Sequence, residues 1–199
     1  MASPKRDHLV TTALTLFNKH GYRATGIDKI LSESGVAKMT LYNHFNSKDE
    51  LIIAALSKRD EELMLWIRNA ITRYLPKQTE DPRLAKLMAF FDALDEWFNS
   101  ETFCGCNFMN ASIEFKRKDD PIHAAASAHK KLMIQMLQEL LAELHFDNNH
   151  HVAKQIHMLI EGAIVMAISL DDRLTAKLAK ETAIILLHSY KITPPLIKK

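Results

Sequence analysis

Apolar side chains recur at helical spacing along almost the whole chain. Leu9, Ala13, Leu16, Phe17 and His20 mark a first helix that opens on Ser3-Pro4, an N-cap with proline at the first helical position, and closes at Gly21. Ile27, Ile30 and Leu31 mark a short second helix. Thr25-Gly-Ile-Asp28 ahead of it fits a capping box, with the Asp28 carboxylate reaching back to the Thr25 amide. Gly35-Val36 breaks the pattern with the residue type that accepts a left-handed backbone. A third run, 37–44, sends Leu41 toward the same core. Steps of 100° leave Met39, Thr40, Tyr42 and Asn43 on the opposite half of the helix.

The rest of the chain repeats that logic at greater length. Ser47-Lys-Asp-Glu50, a second capping box, opens a long helix to about Tyr74 through Leu51, Ala55, Leu63, Trp66, Ile67 and Ala70. Residues 75–81 read as a polar loop. Asp81-Pro82 restarts a helix whose face is dense in Leu84, Leu87, Phe90, Phe91, Leu94, Trp97 and Phe98. Asp120-Pro121 starts another, with Ile122, Ala126, His129, Met133, Met136, Leu140 and Leu144 in a near-heptad through to Phe146. The last two helices, about 150–170 and 173–190, are more apolar than one buried face requires. That excess predicts a second buried surface, formed by pairing this hairpin with its copy about a two-fold axis, with Gly162 and Ala163 allowing close approach. A homodimer is therefore expected. The tail, 193–199, is expected to fray.

Composition narrows the class. With 199 residues, five Gly and six Pro, the chain has few turns to spend on an all-β fold, and an all-α architecture is expected. The N-terminus is polar and basic, unlike a signal peptide, and the most apolar stretch, 158–170, is interrupted by Glu161 and falls short of the ~20 residues of a membrane span. The cytoplasm is the expected location. Charge is uneven: residues 1–59 carry 9 Lys and Arg against 5 Asp and Glu, the remainder 17 against 19. A basic head on a nearly neutral body suits a phosphate-binding partner.

Two helices joined through a Gly turn, the second with an exposed small, polar and aromatic face, make a helix-turn-helix sized for a DNA major groove about 12 Å wide. Gly35-Val36, Thr40-Leu41-Tyr42, His44-Phe45 and Ser47-Lys48 resemble the signature of TetR/AcrR-family transcriptional regulators over roughly residues 5–56. The resemblance implies a three-helix DNA-binding domain, residues 1–46, and a helical ligand-binding and dimerisation domain, residues 47–199. It implies a DNA-contact set of Lys38, Met39, Thr40, Tyr42, Asn43, His44 and Lys48. The positions matching Thr40, Tyr42, His44 and Lys48 chiefly touch the backbone in the family, which fixes register. Lys38 can reach guanine O6/N7, Asn43 can pair with adenine N6/N7, and Met39 offers apolar contact to a thymine methyl. Two positions depart from the pattern: an acid at Asp28, where relatives often carry a basic or neutral residue, and Ala37, where many have a serine able to cap the recognition helix.

A second stretch, 103–115, resembles a Gly-Cys-x-Phe-x-Asn-Ala-x-x-Glu pattern of one branch of the family, carried by Gly105, Cys106, Phe108, Asn110, Ala111 and Glu114. Asn110 and Glu114, four apart in an apolar segment, either line a pocket or tie their helix to a loop backbone. Trp66, Phe90, Leu94, Trp97, Cys106, Phe108, Asn110, His129, Met133 and Glu161 form the candidate ligand-binding set, apolar and aromatic enough for a hydrophobic or amphipathic effector. Glu161 must be paired, protonated or turned to a cavity, and His157, four residues earlier, is its nearest candidate partner.

Cys104 and Cys106 are the only cysteines, and C-x-C with no further cysteine is not a zinc framework. Cys106 is either a small buried apolar residue or a thiol that responds to electrophiles and oxidants. No metal or cofactor is expected, and no phosphate-cradling Gly loop, H-E-x-x-H pair or nucleophile elbow points to an enzyme. The expected function is a DNA-binding transcriptional regulator, a repressor released from a palindromic operator by a small molecule. The alternative is an activator or architectural factor with no effector.

Overall fold

The computed structural model describes residues 3–77 and 81–190, which form nine α-helices and two short 3-10 turns with no strand among them. The helices are α1 (Pro4–His20), α2 (Ile27–Ser34), α3 (Lys38–Tyr42), α4 (Lys48–Tyr74), α5 (Ala85–Phe98), α6 (Asn107–Glu114), α7 (Pro121–Leu140), α8 (Asn149–Ser169) and α9 (Thr175–His188). The chain divides into two units, one of Met1–Met64 with Cys106–Lys130 and one of Leu65–Gly105 with Lys131–Lys199. Residues 78–80 of the expected loop and the tail expected to fray lie outside the described residues.

In the first unit the apolar periodicity is borne out. Leu9, Ala13, Phe17, Ile30, Leu41, Phe45, Leu51, Ile52 and Ala55 are buried together with Tyr22, which follows the Gly21 turn. Gly21 ends α1 at φ 84°, and Gly35 ends α2 in the left-handed region at φ 65°, ψ 11°, with its amide on the Leu31 carbonyl. The capping box at α2 does not form. Gly26 is the N-cap, and the buried Thr25 hydroxyl instead donates to the carbonyls of Gly21 (2.7 Å) and Leu16 (3.3 Å), closing the end of α1. A side chain committed to the preceding helix cannot cap the next one. The second box forms in altered register: Ser47 Oγ accepts from the Glu50 amide, and the Glu50 carboxylate accepts from the amide and side chain of Asn46. Those bonds hold the Glu50 carboxyl below its usual range.

In the second unit α5 is buried nearly all round, through Leu87, Met88, Ala89, Phe90, Phe91, Ala93, Leu94 and Phe98. It packs on α9, where Lys180 meets Asp92 at 2.5 Å and Lys177 meets Asp95 at 3.6 Å. Buried alanines at 163 and 167 on α8, and at 176, 179 and 183 on α9, let these two helices approach closely. Three boundaries differ from the periodicity. The helix expected from Asp81-Pro82 begins at Ala85, because the Asp81 carboxylate takes the Arg83 amide and guanidinium and folds 82–84 into a turn. The helix expected to reach Phe146 ends at Leu140. A 3-10 turn at Ala142–Leu144 and a left-handed His145 then swing Leu141, Leu144 and Phe146 inward, Phe146 against Tyr190 at 5.5 Å. And α9 begins at Thr175, since Arg173 turns aside to donate to the Phe98 carbonyl and cover Phe103. The third run likewise is helical only over Lys38–Tyr42, with Asn43 as its C-cap.

One apolar helix corrects a sequence expectation. Asn149–Ser169 is long and apolar enough by composition to cross a membrane, beyond the shorter 158–170 stretch; 44% of its apolar window is buried inside the fold, as in a core helix.

Gly105 stands at φ 89°, and a Cβ there would lie 2.2 Å from Ile168 Cδ1. Gly105→Ala should therefore lower the unfolding free energy by about 1–3 kcal/mol, from backbone strain and displacement of Ile168. Urea denaturation checks this; an unchanged midpoint would show that the loop adopts another backbone.

Candidate nucleic-acid interface

The reading head is built on a short helix held from one side. Leu41 of α3 has no exposed surface, whereas Met39 is 74% exposed and Tyr42 47%. Lys38 and Asn43 are exposed as well, while Thr40, His44 and Lys48 are half-buried at the margins. All seven expected DNA-contact residues thus belong to one unit, and none of them is buried. α3 lacks a side-chain cap at Ala37, as expected from the sequence, and its end is closed by the amides of Asn43, His44 and Phe45 on carbonyls of Met39 and Leu41.

Neighbouring charges bear on this face. Lys38 Nζ lies 3.9 Å from Asp28 Oδ1, and both side chains are largely in water. Asp28, freed of the expected capping role, thus stands beside the lysine expected to reach a base edge. Lys48, at the first position of α4, donates to the Arg23 carbonyl at 3.2 Å, and burial pulls its ammonium below the ordinary lysine value. Arg6 of α1 lies 5.1 Å over the Phe45 ring, beside His44. Its proximity adds a cation that the periodicity did not single out. His8 donates Nε2–H to the Ser34 carbonyl at 3.0 Å and satisfies the exposed end of α2.

The mid-chain motif divides its duties. Both Glu114 oxygens accept backbone amides, Oε1 from Tyr22 at 2.9 Å and Oε2 from Arg23 at 2.7 Å, so this residue ties α6 to the α1–α2 loop. The Tyr22 hydroxyl donates to the Asn107 carbonyl at 3.1 Å, and burial pushes the phenol well above its ordinary range. Cys106 is buried, with Lys130 Nζ donating to its Sγ at 3.3 Å. Phe108 stacks on His129 at 3.6 Å with rings 10° from parallel, and His129 Nδ1 is 2.6 Å from Asp60. Asn110 is half-buried on the same helix.

The remaining candidate ligand residues belong to the second unit. Phe90, Leu94 and Met133 are buried, and Trp66, Trp97 and Glu161 are half-buried. Trp97 packs edge-on against Phe103 at 5.0 Å, and Glu161 pairs with His157 on its own helix at 3.9 Å. Among the described residues no cluster of three or more His, Cys, Asp or Glu could hold a metal ion.

Comparison with known proteins settles what this head belongs to. The family model "Bacterial regulatory proteins, tetR family" matches residues 9–55, and "Tetracyclin repressor-like, C-terminal domain" matches residues 83–183, about half the chain. The chain belongs to the TetR family. It is therefore a DNA-binding transcriptional regulator. The regulator LmrA of Bacillus subtilis is 28% identical over 198 residues, 98% of this chain and 97% of its own. The activator FasR of Mycolicibacterium smegmatis is 36% identical over 94 residues, which span 46% of this chain and 41% of FasR. A TetR-family regulator from Streptomyces coelicolor superposes with a TM-score of 0.80 at 29% identity, covering 94% of this chain and 90% of that one.

The Asp28–Lys38 pair yields a prediction. Asp28→Asn should strengthen binding to duplex DNA by up to about fivefold at low salt, the range of an exposed ion pair, with the gain shrinking as salt rises. Titration of a labelled duplex checks this; weaker binding would show that Asp28 orients Lys38 rather than neutralising it.

Proposed function

We propose that this TetR-family chain is a homodimeric repressor that binds a palindromic operator and is released by a small hydrophobic or amphipathic molecule. The observation that carries the DNA half of this reading is the outward face of α3. A methionine and a tyrosine stand in water on a five-residue helix whose one buried side chain is Leu41. An exposed methionine and tyrosine beside the exposed Lys38 and Asn43 suit a partner with both apolar and polar edges, and base methyls and base edges in a major groove offer both. Lys38, Met39 and Asn43 then read base edges, while Thr40, Tyr42, His44 and Lys48 fix register on phosphates. Such a partner puts the protein in the cytoplasm.

An exposed apolar stripe supports the dimer. Met158, Val165 and Ile168 on α8, Leu174 just before α9, and Leu178 and Ile185 on α9 all remain 45% or more exposed although these two helices pack on each other. A second copy of the hairpin, related by a two-fold axis, buries both stripes and sets two recognition helices about 34–36 Å apart, one turn of DNA. Effector recognition is assigned to the first unit around Phe108, Asn110 and His129, where a half-buried amide and an imidazole backed by Asp60 stand among apolar groups. A second reading, an activator, is favoured by the similarity to the activator FasR over less than half of this chain.

Selection of bound sequences from random duplex DNA at two salt concentrations tests the proposal. An enriched palindrome whose binding weakens steeply with salt is expected; no enrichment at either salt would overturn it. On the selected operator, Asn43→Ala should cost about 1–3 kcal/mol and relax preference at one base pair, whereas Lys48→Gln should weaken all sequences alike. Uniform effects from both would refute that division of labour. Ile185→Glu combined with Leu178→Glu should convert the dimer to monomer in sedimentation without altering the helical circular dichroism; a persisting dimer would place the interface elsewhere.

A further inference from the structure

Glu114 ends the mid-chain motif, and its contacts converge on a group in the DNA-facing set. The carboxylate spans two successive amides, Tyr22 N and Arg23 N, at 2.9 and 2.7 Å. Arg23 answers with Nε on the Glu114 carbonyl at 3.0 Å, and its guanidinium lies 4.9 Å over Phe115. Gly21, immediately before, leaves room for this arrangement, since a Cβ there would stand 3.0 Å from Glu114 Oε1. Arg23 is thus held at its amide and at its side chain, and the direction of its carbonyl is set. That carbonyl accepts from Lys48 Nζ at 3.2 Å.

We infer that Glu114 is a positioning residue for DNA binding: it fixes the α1–α2 loop so that the Arg23 carbonyl holds the Lys48 ammonium for contact with a phosphate. A lysine head on a four-carbon stem is mobile, and ordering it at the moment of binding subtracts from affinity. An ammonium has three donors. One goes to Arg23, which leaves two for phosphate oxygens and restrains the stem before DNA arrives. The carboxylate chemistry matters, because only an oxygen pair without its own N–H groups accepts both amides. A glutamine in its place offers one acceptor and presents two donors to the other amide.

This inference rests on the assignment of Lys48 to phosphate made above. A tie that served folding alone would change stability and leave the number of neutralised phosphates as it was. The salt dependence of operator affinity separates the two, since each lost phosphate contact lowers the slope of log K against log salt by about 0.9. The full chain is compared with Glu114→Ala, Glu114→Gln, Lys48→Gln and the Glu114→Ala/Lys48→Gln double variant, each checked by thermal melting. Lys48→Gln is expected to lower the slope by about 0.9 per protomer and affinity about fivefold near physiological salt. Both Glu114 variants are expected to show the same loss, and the double variant no more than either single change. If Glu114→Ala fails to melt cooperatively, Glu114→Gln carries the comparison. A Lys48→Gln loss with wild-type slope in a folded Glu114 variant overturns this inference alone, as do additive losses in the double variant. A wild-type slope in Lys48→Gln overturns the phosphate role of Lys48 and this inference with it.

Discussion

The reading head depends on the burial of Leu41. A helix of five residues cannot stand alone in water, because nucleation fixes several backbone dihedrals for each hydrogen bond gained, and α3 has no side-chain cap to offset that cost. Leu41 and, just past the helix, Phe45 bury their side chains against the core that Leu9, Phe17 and Ile30 help to form. Full burial of one leucine is worth about 1.5–3 kcal/mol, enough to hold a single turn in place. Once Leu41 points inward, the 100° step of the helix decides where Met39, Tyr42 and Asn43 point. The chemistry of this exposed face is a consequence of which side chain the core claims.

The same core explains why the charges around it act as they do. Lys48 lies where burial already disfavours its ammonium, so its bond to the Arg23 carbonyl returns part of the lost hydration. Lys38 is in water beside Asp28, where a charge pair contributes little and salt screens it. The two lysines of the set therefore differ in physical role before any DNA is considered. One is restrained and partly dehydrated, and the other stands largely in water beside a carboxylate.

Helix positions and the core were legible because they follow from periodicity, and the TetR family was legible because Gly35-Val36, Thr40-Leu41-Tyr42 and Ser47-Lys48 have fixed spacing. What failed to show were competitions between local and distant partners. Thr25 and Asp28 have the spacing of a capping box, yet the Thr25 hydroxyl is taken by carbonyls of α1. Asp81-Pro82 has the form of a helix start, yet Arg83 captures the carboxylate. The near-heptad to Phe146 continues on paper, but burying Leu144 and Phe146 requires the chain to turn. Arg23 carried no sequence signal, since its partners Glu114 and Phe115 come from the far side of the chain.

The mid-chain motif shows why a family-like pattern need not describe one pocket. Gly105 is required by a left-handed backbone and by the Ile168 side chain that fills the space of a Cβ. Cys106 receives a lysine N–H, Phe108 stacks on an imidazole, and Glu114 serves two loop amides. Of the two readings open for Asn110 and Glu114, the loop tie is the one Glu114 takes. A carboxylate whose two oxygens already accept short bonds from backbone amides has little left for a ligand, because replacing either bond would strand an N–H. Asn110, half-buried on the preceding turn and carrying both donor and acceptor, keeps the capacity to meet a small molecule. Within a few residues, then, one helix holds the α1–α2 loop through its last carboxylate and leaves an amide half-buried one turn earlier.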